Sequence, residues 1–175
     1  SSIINTLLFI GISIPQYIGA SENIEKTGDI LQIVIPTIGL GSTIFYEKEL
    51  KGAKQFFKSL ITTALITKSL KIATRKQRPN GECCQSFPSG HTSVAFMGAA
   101  FIHKRYGWEY SIPVYVGATF VGYSRVQVDK HFIEDVIAGA AVGILSSFYF
   151  TKPYKRFIID ITVTNGYEIY LSQTL

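Results

Sequence analysis

Six apolar stretches, at 3–20, 27–46, 55–74, 91–106, 110–125 and 131–150, constrain this chain more than any other feature. Polar or charged breaks divide them: "SENIEK", "EKELKGAK", "TRKQRPNGE", "HKRYGWE" and "VQVDKH". Their lengths and their Ala, Gly, Leu and Phe content favour helices over strands. Several approach the roughly 20 residues that cross a bilayer, whereas 91–106 and 110–125 are short. A soluble bundle of buried helices and a polytopic membrane bundle both meet this pattern. Charged residues make up 17% of the 175, below the roughly 25% of soluble domains. The expectation is therefore an all-α, polytopic membrane bundle of about six transmembrane helices. The length suits one domain.

The two ends read differently. "LLFIGISIPQYIGA" has the form of a signal-peptide core with Gly19 and Ala20 as a small-residue cleavage site, or of an uncleaved span. At the other end Ile159, Ile161 and Val163 alternate on one arm, and Tyr167, Ile169 and Leu171 on the next. Asn165-Gly166 lies between them, a favoured pair for a tight turn. This predicts a small C-terminal β-hairpin over 158–172, and so a helical domain at 1–156 with a tail at 157–175.

The formal charge of +5 suits nucleic acid, an anionic lipid surface or a phosphate substrate. No basic stripe interleaved with aromatics is present, which argues against nucleic acid. Cys83 and Cys84 are the only cysteines; adjacent residues fit disulfide geometry poorly, so two loop thiols are expected.

"QSFPSGHTS" at 85–93 reads alone as a turn and a helix start. Two further groups change its weight: "KIATRKQRP", with Lys71 and Arg78, and "SRVQVDKHFIED", with Ser124, Arg125, His131 and Asp135. Each residue has a plain explanation of its own, such as a snorkelling lysine or a capping aspartate. Alternating spans, however, put the end of the third, the start of the fourth, the end of the fifth and the start of the sixth on one membrane face. Three cations, two imidazoles and a carboxylate then meet there, a set suited to an oxyanion. His131 and Asp135, four apart, stack on one helical face. The carboxylate can fix the tautomer that leaves the other ring nitrogen free to attack.

Together these segments resemble the three-part signature K-x6-R-P, P-S-G-H and S-R-x5-H-x3-D of the type-2 phosphatidic acid phosphatase superfamily. That superfamily includes bacterial acid phosphatases, glucose-6-phosphatase and vanadium haloperoxidases. Every signature position is filled, in order, over residues 71–135. The resemblance implies that His131 attacks phosphorus to form a phosphohistidine, held by Asp135. It implies that His91 protonates the leaving oxygen and that Lys71, Arg78, Ser89, the Gly90 amide and Arg125 hold the phosphoryl oxygens. Fixed cations and amides stabilise the charge that phosphoryl transfer spreads over those oxygens. No carboxylate cluster for magnesium accompanies the set, so neither metal nor cofactor is expected.

Nine cations lie in the loops opposite the motifs: Lys48, Lys51, Lys54, Lys58, Lys104, Arg105, Lys152, Lys155 and Arg156. On the motif side, leaving out Lys71, Arg78 and Arg125, there are Lys26, Arg75, Lys76 and Lys130. The positive-inside bias puts the nine in the cytoplasm. The expected location is a bacterial inner membrane, crossed several times, with the site facing the periplasm or cell exterior. Short outer connections leave no domain to enclose a soluble sugar phosphate, so the expected substrate is a lipid phosphate. Undecaprenyl pyrophosphate, phosphatidylglycerophosphate, phosphatidate and lipid A are the candidates. A general acid phosphatase for soluble phosphomonoesters, a vanadium haloperoxidase and a non-catalytic membrane scaffold are the competing readings.

Overall fold

The computed structural model describes the backbone of residues 2–47, 50–154, 156–164 and 166–174, and the side chains of 21–47 and 50–154. Five helices run in order: α1 (Ser2–Tyr46), α2 (Lys51–Thr74), α3 (Gly90–Tyr106), α4 (Trp108–Gln127) and α5 (Ile133–Phe150). Two strands follow, β1 (Arg156–Thr164) and β2 (Gly166–Thr174), paired antiparallel with Ile161 opposite Ile169.

The expected bundle of about six transmembrane helices is corrected to five helices, of which two are candidate spans. "SENIEK" does not break the chain: it lies inside α1, which joins the first two apolar stretches into one helix. Its polar residues favour a helical backbone, and Glu22 pairs with Lys26 at 2.6 Å one turn on. Among the described residues only two helices are long and apolar enough to cross a membrane, Ser21–Tyr46 and Ile133–Phe150. Five lysines along α2 (Lys51, Lys54, Lys58, Lys68, Lys71) and the short length of α3 keep those helices outside that class. No strand enters the packed body among the described residues; β1 and β2 contact each other only. Of the Asn165-Gly166 turn, Asn165 lies outside the described residues, as does the side chain of Ala20 at the expected cleavage site.

The body is built around α3, which touches each of the other four helices. Its sequence explains the position, because Gly98, Ala95, Ala99 and Ala100 let neighbours approach on every side. A Cβ added at Gly98 would stand 2.9 Å from Pro36 Cα on α1. One apolar cluster joins Ile35, Ala95, Ala99, Ala118 and Val121; a second joins Phe56, Met97 and Phe101. The Phe56 and Phe101 rings meet edge to face with centroids 5.2 Å apart. The expected G-x-x-x-G of the last helix packs closely: a Cβ at Gly139 would stand 2.5 Å from Ser89 O, and one at Gly143 2.7 Å from Met97 N. Large apolar side chains such as Ile33, Leu65, Val116, Ile137 and Leu145 face outward, as a lipid surrounding allows.

The end of the body away from the motifs is tied by a buried ion pair. Arg105 meets Glu47 through both Nε and Nη2, and Tyr106 donates its hydroxyl to Glu47 at 2.7 Å. Arg105 Nη1 also donates to Gln55 Oε1 at 3.1 Å and to Lys152 O at 2.9 Å.

Candidate active site

All the motif residues gather at one end of the bundle, where α2 and α4 end and α3 and α5 begin. The connections between helices hold them there. Arg75 closes α2 in a left-handed conformation, φ 45°, with its N–H on Lys71 O. The loop that follows is pinned twice, by Ser86 N–H to Lys76 O at 2.9 Å and by Asn80 N–H to Asp129 O at 3.0 Å. Ser89 caps α3: its Oγ accepts from Thr92 Oγ1 at 2.9 Å, and its N–H donates to Asp135 O at 2.9 Å. That last bond locks the start of α3 to the start of α5. Asp129, at φ 52°, turns the chain after α4, so that the N–H groups of Lys130 and His131 both reach Arg125 O, at 3.1 and 3.2 Å. The His131 backbone is thereby tied to the end of α4.

Two neighbouring groups of side chains result. In the first, His131 is 4% exposed, with Lys71 and Arg78 close enough to act on its charge. Lys71 Nζ donates to Gln85 O, its Cε lies beside Gly90, and Arg78 Nη1 pairs with Glu82 at 2.9 Å. Burial first, and the Lys71 charge second, push the His131 imidazole down to about 4, against a backbone hydrogen bond at Ser86 and the charge of Asp135. The ring is therefore neutral at ordinary pH, the form a nucleophile needs. In the second group, His91 Nε2 lies 3.1 Å from Asp29 Oδ1, and the same oxygen lies 2.9 Å from Nη1 of the buried Arg125. Arg125 Nε donates to Ser124 Oγ at 3.1 Å and Nη2 to Glu25 O at 2.9 Å.

The expected stacking of His131 on Asp135 along a helix is corrected in detail. His131 precedes α5, whose cap is Phe132, and its Nδ1 stands 3.8 Å from Asp135 Oδ2, beyond hydrogen-bond reach. The fully buried carboxylate is satisfied by Lys76 Nζ at 2.7 Å, by the Ser86 hydroxyl and by the Phe132 N–H at 3.0 Å. Lys76 also pairs with Glu134 at 2.8 Å. Burial opposes its ammonium, but the hydrogen bonds and charges of Asp135 and Glu134 raise its pKa above the ordinary value. In the sequence Lys76 is a loop charge only, and no motif marks Ser86, Glu25 or Asp29.

A basic end of the bundle with two imidazoles and paired carboxylates can hold an oxyanion. The sequence pattern of the PAP2 superfamily matches residues 52–158. The chain belongs to the PAP2 superfamily, a phosphatase and hence hydrolase family, and it is a membrane protein. A lipid A 1-phosphatase of Porphyromonas gingivalis is 38% identical over 141 residues, 74% of this chain and 31% of that protein. The chain thus spans under a third of that relative's length. A lipid A 4'-phosphatase of Helicobacter pylori is 29% identical over 75% of this chain and 71% of its own. The crystal structure of a transmembrane PAP2-type phosphatidylglycerolphosphate phosphatase from Bacillus subtilis superposes with a TM-score of 0.57. It shares 30% identity, over 75% of this chain and 73% of the other.

Proposed function

We propose that this chain hydrolyses a lipid phosphate by way of a phosphohistidine on His131, without a metal ion. The observation that carries the reading is the convergence of a buried, neutral His131 with Lys71, Arg78, Gly90 and Arg125 at one end of the bundle. Names of the similar proteins, lipid A phosphatases and a phosphatidylglycerolphosphate phosphatase, support a phosphate carried on a lipid.

Nδ1 of His131 faces Asp135, which leaves Nε2 to attack phosphorus. As the N–P bond forms, the P–O ester bond breaks, and His91 gives its proton to the departing oxygen. Lys71, Arg78 and Arg125, with Ser89 and the Gly90 amide at the start of α3, take up the charge on the equatorial oxygens. Water then attacks the phosphohistidine, His91 takes the water's proton, and inorganic phosphate leaves as His131 is restored. Asp135, itself held by Lys76 and Ser86, closes on His131 Nδ1 as the ring becomes positive; such contacts are often long before substrate binds.

The proposed site faces the periplasm or cell exterior of a bacterial inner membrane. Lys51, Lys54, Lys58, Lys104 and Lys152 at the other end support a cytoplasmic placement there. Lys48, Lys155 and the Arg156 side chain lie outside the described residues, and Arg105 is taken up by Glu47. The test compares kcat/KM for a lipid phosphate in mixed micelles with that for a soluble ester of the same headgroup. Binding energy from the tails favours the lipid strongly if the reading holds. Equal or better use of the soluble ester would overturn it.

A further inference from the structure

α1 reaches the site although it lies outside the residues that carry the family pattern, 52–158. It delivers two carboxylates to the His91 side. Glu25 pairs with Lys130, and Asp29 Oδ1 sits between His91 Nε2, at 3.1 Å, and Arg125 Nη1, at 2.9 Å. Asp29 Oδ1 is buried but makes no well-aligned hydrogen bond. A carboxylate in an apolar helix is expensive and marks a functional position. Gly28 fixes its place: a Cβ there would stand 2.8 Å from Ser124 Cβ and 2.9 Å from Arg125 Nη2, so only glycine lets α1 close onto the Ser124-Arg125 pair.

We propose that Asp29 is a positioning residue for the leaving-group proton: its carboxylate orients His91 and favours the imidazolium that donates to the departing oxygen. This rests on the phosphatase reading above. The site then contains two carboxylate–imidazole pairs with opposite duties. Asp135 serves a ring that must start neutral, and Asp29 serves a ring that must start charged. The need for Asp29 follows from what else faces His91. Burial opposes a positive ring most, and Arg125 from α4 and Lys130 from the α4–α5 connection oppose it further. Glu25 is occupied by Lys130, Lys71 of α2 is turned to Gln85 O, and Lys76 occupies Asp135 and Glu134 of α5. Asp29 is the only carboxylate in ion-pair contact with His91 among the described residues.

The test uses the full chain in detergent with two phosphates bearing the same alkyl tail, one leaving as an alkanol and one as a nitrophenolate. Asp29→Asn keeps the shape and removes the charge. kcat/KM for the alkanol ester is expected to fall on the order of 10- to 100-fold, part of the roughly 100- to 10,000-fold that a positioned acid contributes. The nitrophenyl ester, which needs no proton to leave, stays within about threefold. The basic limb of the alkanol-ester pH profile moves to lower pH, and Asp29→Glu restores part of the loss. Equal loss on both esters, or none on either, would overturn the role. Tighter vanadate binding with unchanged kcat in Asp29→Asn would also overturn it, by showing that Asp29 merely competes for the phosphate position. Wild-type protein inert to both esters would instead overturn the phosphatase reading, and this role with it.

Discussion

Replacing Gly139 with alanine tests whether the contact of α5 with α3 sets the reacting geometry. The new Cβ would stand 2.5 Å from Ser89 O and 3.2 Å from Ser93 Oγ, where ordinary contact begins at 3.4 Å. The first of these is backbone, so it cannot swing aside. The helices must separate by about 0.9 Å at that point, which stretches the Ser89 N–H to Asp135 O bond at the head of both helices. His131 and Asp135 then move relative to Ser89, Gly90 and His91. A displacement of that size can lower turnover on the order of 100-fold, while overpacking destabilises by about 1–3 kcal/mol. Gly143→Ala would put a Cβ 2.2 Å from Ser93 O and 2.7 Å from Met97 N, one turn further from the site, and is expected to cost at least as much stability with a smaller loss of rate. Gly41→Ala, whose Cβ would meet nothing nearer than Phe45 at 4.0 Å, is the control. kcat/KM and the thermal midpoint, measured in the same detergent, read both effects. A folded Gly139→Ala protein with turnover within about threefold of wild type would refute the reasoning.

Two further expectations concern protonation and the far end of the bundle. In ¹³C-histidine NMR titrations, one ring is expected to titrate near pH 4 and to vanish in His131→Gln, staying neutral above that pH and losing nucleophilicity as pH falls through it; titration of that ring near 6.5 would contradict the account. Glu47→Gln leaves Arg105, 5% exposed, without its buried partner. Stability is then expected to fall by about 3–5 kcal/mol, with kcat of the folded fraction unchanged; an unaltered thermal midpoint would count against that pair's role.

The helix starts and ends that bear Lys71, Arg78, Ser89, His91, Arg125 and His131 were legible because charged and turn-forming residues interrupt apolar runs at those places. The continuity of α1 was not. A polar stretch such as "SENIEK" reads as a break, yet it contains strong helix formers and its own Glu22–Lys26 pair. Counting membrane spans failed for a related reason, since the lysines of α2 leave it apolar on part of its surface only. The His131–Asp135 spacing pointed to a contact, but position along a sequence does not reveal that Phe132 starts the helix between them. Lys76, Ser86 and Asp29 act across helices, at separations of 59, 49 and 62 residues from Asp135, Asp135 and His91. No local pattern announces such pairs. Asp29 alone left a trace, a lone carboxylate early in the apolar stretch at 27–46.

The central claim is that His131 becomes covalently phosphorylated. Rapid acid-free quench of the detergent-solubilised chain with a ³²P-labelled lipid phosphate measures it directly. The account predicts an acid-labile, base-stable label on the protein that forms within one turnover, maps to the peptide containing His131, and is absent from His131→Ala. Label that persists in His131→Ala, or that maps to the peptide bearing His91, would contradict it.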